Sequence, residues 1–427
     1  MKNFYKFALV ALTAVVLSSA MSASSSAVFS VVKIPGISPN SPIAINNNGQ
    51  VVVNTGTGDS SAVSVWTRQN GSESLGLTGN EGGAGINNSG NIVGAGAPSN
   101  SNTTQGFAWF PSSGAEWLGS LGGGMSAASG INSSNAIVGL SYTSQAYQHA
   151  FYWTRAEGMT DITPSLTSIG GGTAVSINSS NEVVGYFYPN GSLNTLGFTW
   201  TASGGLQSFG TAGTLGFGVN DEGTVVGQYI LSTGWRHAFS YTQSGVMTDL
   251  GTLGGGESSA LGINSAGWIV GTSYTTDQTN LPHGFLWTPT NGMVDLTTLA
   301  GISINQRVYS IQVNDYGVIA LTSNQGGEVL IPKMTGTLSS SHNPSNLGQA
   351  VTFTVNITSI VGPPPDGETV QFVVSGNLLG TGTLKNGVAQ FTTSAIPAGK
   401  HAVVADYPGD NNYLPAKYTA LTQVVNQ

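Results

Sequence analysis

Three histidines and three aspartates are the first residues to weigh for chemistry. His149, His237 and His283 each precede an Ala/Gly-Phe pair, and Asp161, Asp249 and Asp295 each sit two residues after a methionine. Imidazoles can act as bases or metal ligands, and carboxylate pairs can share acid–base work. Each set, however, occupies one position of a repeat, so folding holds its members whole repeats apart in like surroundings. A metal needs three or four donors converging on one point, and an acid–base pair needs two unlike environments a few ångströms apart. Both sets are read as structural hydrogen-bonding groups. No catalytic residue, metal or cofactor is assigned.

The glycine runs Gly122–Gly124, Gly170–Gly172 and Gly254–Gly256 could suggest phosphate cradles. No Lys-Ser/Thr follows them and no helix is predicted to supply an N-terminus, so they read as links between strands. The better lead is aromatic. Tyr142, Tyr188 and Tyr274 each lie three residues after the glycine of a Val-Gly pair, and Trp235 with Arg236 closes a similar loop. Such loops belong at one face of a rigid scaffold, beside the glycine links, where binding residues concentrate. Tyrosine and tryptophan among neutral polar neighbours suit stacking on sugar rings or packing on a protein surface. The bland alternative is that these rings only cover strand ends.

The elements that must position these residues recur. Leu261–Ser273 reads as two short apolar runs around the turn Asn264-Ser265-Ala266-Gly267. Asparagine at the first turn position can bond the backbone two residues on, and glycine at the last supplies a left-handed conformation. The turn asparagines stand at 46, 87, 132, 178, 220, 264 and 314. In two copies the last place is Asn135 or Asn181, the non-glycine type that best tolerates positive φ. Downstream of each hairpin comes an aromatic strand such as His149–Trp153 or His283–Trp287, and in several copies a Met-x-Asp-Leu/Ile strand. Repeats of roughly 40–45 residues with four short strands point to propeller blades. The seventh repeat lacks its fourth strand, and Val28–Ile34 is an orphan strand ahead of the first hairpin, expected to complete it and leave no open edge.

The His-Ala-Phe strand with the Gly-Ile-Asn-x-x-Gly hairpin resembles the HAF-repeat family over about residues 38–334, although only the third and fifth repeats keep His-Ala-Phe intact. The resemblance implies an extracellular repeat protein and brings no settled activity. From Thr337 the composition changes. Strands at Val351–Ile357, Glu368–Val374, Gly387–Thr393, His401–Tyr407 and Tyr418–Val425 read as a β-sandwich. Its segments Gly380-Thr381-Gly382, Pro397–His401 and Tyr407–Asp410 are similar to those of the group 3 bacterial Ig-like domain, over about residues 337–427.

Residues 1–27 read as a secretory signal peptide, with Lys2 and Lys6 before an apolar stretch from Phe7 to Leu17 and then small residues. Without those lysines, 9 basic residues face 19 acidic ones, so a nucleic-acid footprint is absent. Charged residues are only 7% of the chain, against roughly 25% in a typical soluble protein. The surface is therefore neutral and polar. Cysteine is absent, which excludes disulfides and a lipid-modified cysteine anchor. No membrane span is expected in the mature chain.

These observations predict an all-β chain: a seven-bladed β-propeller over 28–334, then an Ig-like β-sandwich over 335–427. The expected role is a secreted or cell-surface-associated, non-catalytic protein that binds extracellular carbohydrate or protein through Tyr142, Tyr188, Trp235 and Tyr274. The sandwich would serve as spacer or attachment module. The alternative is a propeller-type glycoside hydrolase or lyase, which requires two non-repeat carboxylates about 5–10 Å apart in the channel or cleft.

Overall fold

The computed structural model describes residues 27–56, 62–77, 82–98, 101–166, 171–277 and 281–427, apart from the side chains of residues 419 and 420. Of the expected leader only Ala27 is among them, and Gly170 of the second glycine run is not. Among the described residues the chain is almost wholly β, with seven four-stranded antiparallel sheets, one three-stranded sheet and one five-stranded sheet. Six of the seven four-stranded sheets are built from consecutive strands. The sixth runs Gly254–Ile263, Ile269–Thr275, Pro282–Thr288 and Gly292–Asp295. The seventh takes Val308–Val313, Ile319–Ser323 and Gly326–Pro332 and adds Phe29–Ile34 from the other end of the chain. Phe29 lies opposite Pro332 and Ile34 opposite Gly327, and Lys33 forms an ion pair with the buried Glu328 across this seam.

Two local features differ from expectation. The first and third glycine runs are not links: they begin the ten-residue strands Gly122–Ile131 and Gly254–Ile263. A single helical turn, Leu296–Ala300, follows the sixth sheet. Asp295 caps it by accepting from the Thr297 N–H at 2.8 Å, and Gly301 ends it in the left-handed region.

The Val-Gly and Phe signatures explain each other. Gly139, Gly185, Gly227 and Gly271 of second strands face Phe151, Phe198, Phe239 and Phe285 of third strands, all four rings fully buried. A Cβ at these glycines would lie 2.7–2.9 Å from the ring and 1.9–2.0 Å from a carbonyl of the first strand. That carbonyl comes so close because each first strand bulges there, for example between Ala128 and Gly130 and between Ala260 and Gly262. The missing side chain thus makes room for a ring whose burial is worth roughly 2–3 kcal/mol. In the first sheet the volumes are exchanged, with Val53 opposite Ser64.

The turn asparagines do more than make turns. Each hairpin closes with an i to i+3 bond onto the asparagine carbonyl, from Gly49, Gly90, Asn135, Asn181, Gly223, Gly267 or Gly317, all at positive φ. The asparagine Oδ1 accepts from the backbone N–H four residues on, at 2.8–3.0 Å in all seven copies. Its Nδ2 points away from its own sheet and donates to the carbonyl of the next turn asparagine. The bonds run from Asn46 to Asn87, Asn132, Asn178, Asn220, Asn264 and Asn314, and the last returns from Asn314 to Asn46. All seven side chains are buried, and the seven bonds, 2.9–3.2 Å long, form a closed circle.

The C-terminal module starts with the strand Met334–Ser340, one residue before the expected boundary. This strand pairs with Val351–Ser359, which pairs with Val388–Thr393. The facing sheet orders Ser345–Asn346, Ala416–Asn426, Gly399–Tyr407, Thr369–Val374 and Asn377–Thr383. Its core holds Phe353, Phe372 and Tyr407. The loop Asp410–Leu414 rests on the asparagine circle. Asn412 Oδ1 accepts from Asn314 Nδ2 at 2.8 Å, and Asn412 Nδ2 donates to the Asn47 carbonyl at 2.8 Å. Arg68 Nε donates to the Asp410 carbonyl at 2.9 Å, and the rings of Tyr413 and Tyr316 meet edge to face.

Behind this loop, Glu368 accepts a hydrogen bond from Tyr407 Oη. Burial first, then the charge of Asp410, push its carboxyl up to about 7, against the opposing pull of the Tyr407 hydroxyl.

Two outcomes are expected. Gly271→Ala sets a methyl against the Ser259 carbonyl and the Phe285 ring, and should cost about 3 kcal/mol or more in urea unfolding, whereas Gly267→Asn should cost under about 1 kcal/mol. Equal losses would refute this packing account. For Glu368 the folded pKa lies above the unfolded value of 4.5, so as pH rises from there through about 7 the unfolded chain gives up its proton first. Stability should therefore fall across that window, and Glu368→Gln should flatten the fall. Unfolding midpoints measured from pH 4.5 to 8 provide the check, and identical slopes in the two proteins would count against it.

Candidate functional site

The asparagine circle frames one end of a central space. A cavity of 250 Å³ is lined by the seven turns, including Asp221 and Asp315, and by the apolar residue before each turn, from Ile45 round to Val313. Six of those apolar residues also line a second cavity of 380 Å³ deeper inside, walled by the first strands and their bulges at Val175, Phe217, Leu261 and Tyr309. An apolar girdle therefore divides the two spaces.

The only carboxylates lining the mouth, among the described residues, are Asp221 and Asp315, and both are repeat positions. Each is held by the neighbouring sheet. Asp221 Oδ1 accepts from the Ser179 N–H at 2.9 Å. Asp315 Oδ1 accepts from the Ser265 N–H and hydroxyl at 2.9 and 2.7 Å, and its Oδ2 accepts from Asn47 Nδ2 at 2.6 Å. Burial pushes the Asp315 carboxyl up, but the bonds from Ser265 and Asn47 outweigh it and hold the group below the usual carboxylate range. These carboxylates are structural acceptors between sheets.

The histidines and aspartates pair with each other inside their own sheets. His149 Nδ1 meets Asp161 at 2.6 Å, His237 Nδ1 meets Asp249 at 2.9 Å, and His283 Nδ1 meets Asp295 at 2.8 Å. The other oxygen of Asp161 and Asp295 takes the backbone N–H two residues on, and Asp249 does the same for Gly251. His149 and His283 also reach the Leu166 and Ile304 carbonyls through Nε2, both at 2.9 Å. Each pair thus pins the segment that leaves its fourth strand. Among the described residues no three His, Asp or Glu side chains gather where they could hold a metal.

The aromatic residues sit at the opposite end from the asparagines. Tyr142 and Tyr274 stand near the far ends of the second strands Ile137–Thr143 and Ile269–Thr275, and Tyr188 just beyond Val183–Phe187. Their backbones lie against glycine: the Tyr188 N–H bonds the Gly171 carbonyl at 2.9 Å, and Gly123 and Gly255 back onto Tyr142 and Tyr274. All three tyrosines are half-buried rather than exposed.

Trp235 differs, with 54% of its surface exposed. One face of its indole lies on Gly256, where a Cβ would come within 2.8 Å of the ring. Trp235 and Tyr274 therefore flank one glycine run, whereas Tyr142 and Tyr188 belong to the third and fourth sheets. Between the fifth, sixth and seventh sheets lies a cavity of 250 Å³ bordered by Arg236, Glu257, Tyr274, Pro282, Arg307 and Tyr309. Tyr309 did not stand out in the sequence, and Arg307 does so only as one of the few titratable residues outside the repeat positions. The available signal was their position at the start of a first strand, the same end as the tyrosines.

No curated protein matches the chain. Among solved structures, a streptogramin B lyase is similar at 12% identity and a TM-score of 0.49, covering 71% of this chain and 98% of that one. TolB from Acinetobacter baumannii is similar at 11% identity and 0.38, covering 65% and 78%. The β-propeller domain of the Trilobed protease from Pyrococcus furiosus is similar at 10% identity and 0.34, covering 84% and 98%. The C-terminal module is assigned directly: residues 338–426 match the bacterial Ig-like domain (group 3).

Proposed function

We propose that the chain is a secreted, non-catalytic binding protein. In this reading residues 1–27 are a signal peptide, 28–334 form a seven-bladed HAF-repeat propeller closed by the N-terminal strand, and 335–427 are the Ig-like module. The propeller end away from the asparagine circle binds extracellular carbohydrate or a protein surface. Tyr142, Tyr188, Trp235 and Tyr274 are the contact residues, and the Ig-like module acts as spacer or attachment domain.

One observation carries the choice of face. The Asp410–Leu414 loop occupies the asparagine end through Asn314, Asn47 and Arg68, while Trp235 presents an exposed indole at the other. Half-buried tyrosines with fixed backbones suit this role, since rigid rings lose little entropy on binding. The closed circle of seven bonds supports a rigid scaffold beneath them.

The test is retention of the chain on a panel of immobilised extracellular polysaccharides. Trp235→Ala combined with Tyr142→Ala, Tyr188→Ala and Tyr274→Ala should reduce retention about 10-fold or more while the unfolding midpoint confirms a folded scaffold. Full retention by the folded variant would reject this face. Accumulation of new reducing ends during incubation would favour the hydrolase or lyase reading instead.

A further inference from the structure

We infer that the cavity between the fifth, sixth and seventh sheets is a subsite for a carboxylated sugar, one uronate unit of an acidic polysaccharide. The inference rests on the carbohydrate-binding reading above and names the class of sugar that this part of the face selects.

The distribution of arginine is the first ground. The chain holds four arginines, Arg68, Arg155, Arg236 and Arg307, among only 11 basic residues against 19 acidic ones. Two of them have structural partners: Arg68 holds the Asp410 carbonyl, and Arg155 pairs with Glu116 over the Phe110 ring. The other two border the same 250 Å³ cavity. Arg236 is engaged by Glu257 at 3.3 Å. Arg307 is exposed, stands 5.5 Å over the Tyr309 ring, and has no carboxylate within ion-pair distance among the described residues. The cavity therefore carries one cation more than it neutralises, on a protein whose net charge is −8.

The walls give the rest of the chemistry. Tyr274 and Tyr309 line the space, and Pro282 closes one side. Trp235, adjoining Arg236 and seated on Gly256, extends the aromatic surface outward. A guanidinium offers a planar fork that matches a carboxylate, and aromatic faces stack on the C–H face of a sugar ring. At 250 Å³ the cavity is below the roughly 300–1,000 Å³ of sites that enclose a drug-sized ligand, as suits a single ring of a polymer lying across the face. Nucleic acid, with a charge on every unit, is repelled by the acidic remainder, whereas one carboxylate placed at Arg307 is not.

The experiment compares oligogalacturonate with the neutral galactose oligomer of equal length, using the full secreted chain at low and moderate salt. The expected result is tighter binding of the uronate oligomer, about 10-fold or more of which is lost in Arg307→Gln, with neutral-oligomer binding and unfolding midpoint unchanged. Arg307→Lys, which keeps the charge without the fork, should fall between the two, and added salt should shrink the difference. Equal binding of both oligomers by wild type, or uronate binding indifferent to Arg307→Gln, would overturn the subsite and leave the carbohydrate-binding face standing. No binding of either oligomer, nor of any polysaccharide on the panel, would overturn both.

Discussion

An asparagine side chain carries an acceptor and a donor on one rigid amide, and this chain uses the two for different levels of structure. The Oδ1 ends of Asn46, Asn87, Asn132, Asn178, Asn220, Asn264 and Asn314 tie down their own turns, while the Nδ2 ends hold the turn of the next sheet. Aspartate would make the same turn and could not donate. Serine would be too short to serve both partners. Because the seventh bond returns to the first residue, a displacement of any sheet strains its neighbours on both sides. Burial raises the stakes, since an amide that loses its partner there pays the full desolvation cost of about 1–3 kcal/mol.

Sheet-to-sheet packing is fitted around that circle. In the second to sixth sheets the bulge in the first strand brings a carbonyl against the second strand, and only glycine tolerates the approach. Phenylalanine from the third strand fills the space that glycine leaves, so a backbone irregularity becomes a close-packed core. The His–Asp pairs then fasten the outer strand to the segment that follows it. Residues that looked chemical at first sight, the histidines and aspartates, are consumed by this task.

The two ends of the central space are unlike for the same reason. The turn end is crowded with satisfied amides and receives an eighth in kind, that of Asn412 from the Ig-like module. The other end consists of strand ends and loops, where side chains are freer of repeat constraints. There the tyrosines, Trp235 and two of the four arginines collect. A low overall charge makes a local cationic pocket effective, because few other charges compete with it nearby.

Much of this was legible in the residues alone. Apolar alternation, the Asn-x-x-Gly turns and their recurrence determine the hairpins, the repeat and the strands of the C-terminal module, because those features depend on neighbours within a few positions. The sequence put the tyrosines and Trp235 in loops after the second strands, whereas Tyr142 and Tyr274 stand within the last residues of those strands. It did not show that the turn asparagines bond each other across 41 to 50 residues, nor that His149 and Asp161 are partners, since a side chain has the same local signature whichever way its second hydrogen bond points. Nor could it show that Tyr142 is half-buried, or that Arg236 and Arg307, 71 positions apart, border one cavity. Those facts depend on which sheets become neighbours and on the volume left between them, and only the closed tertiary structure decides either.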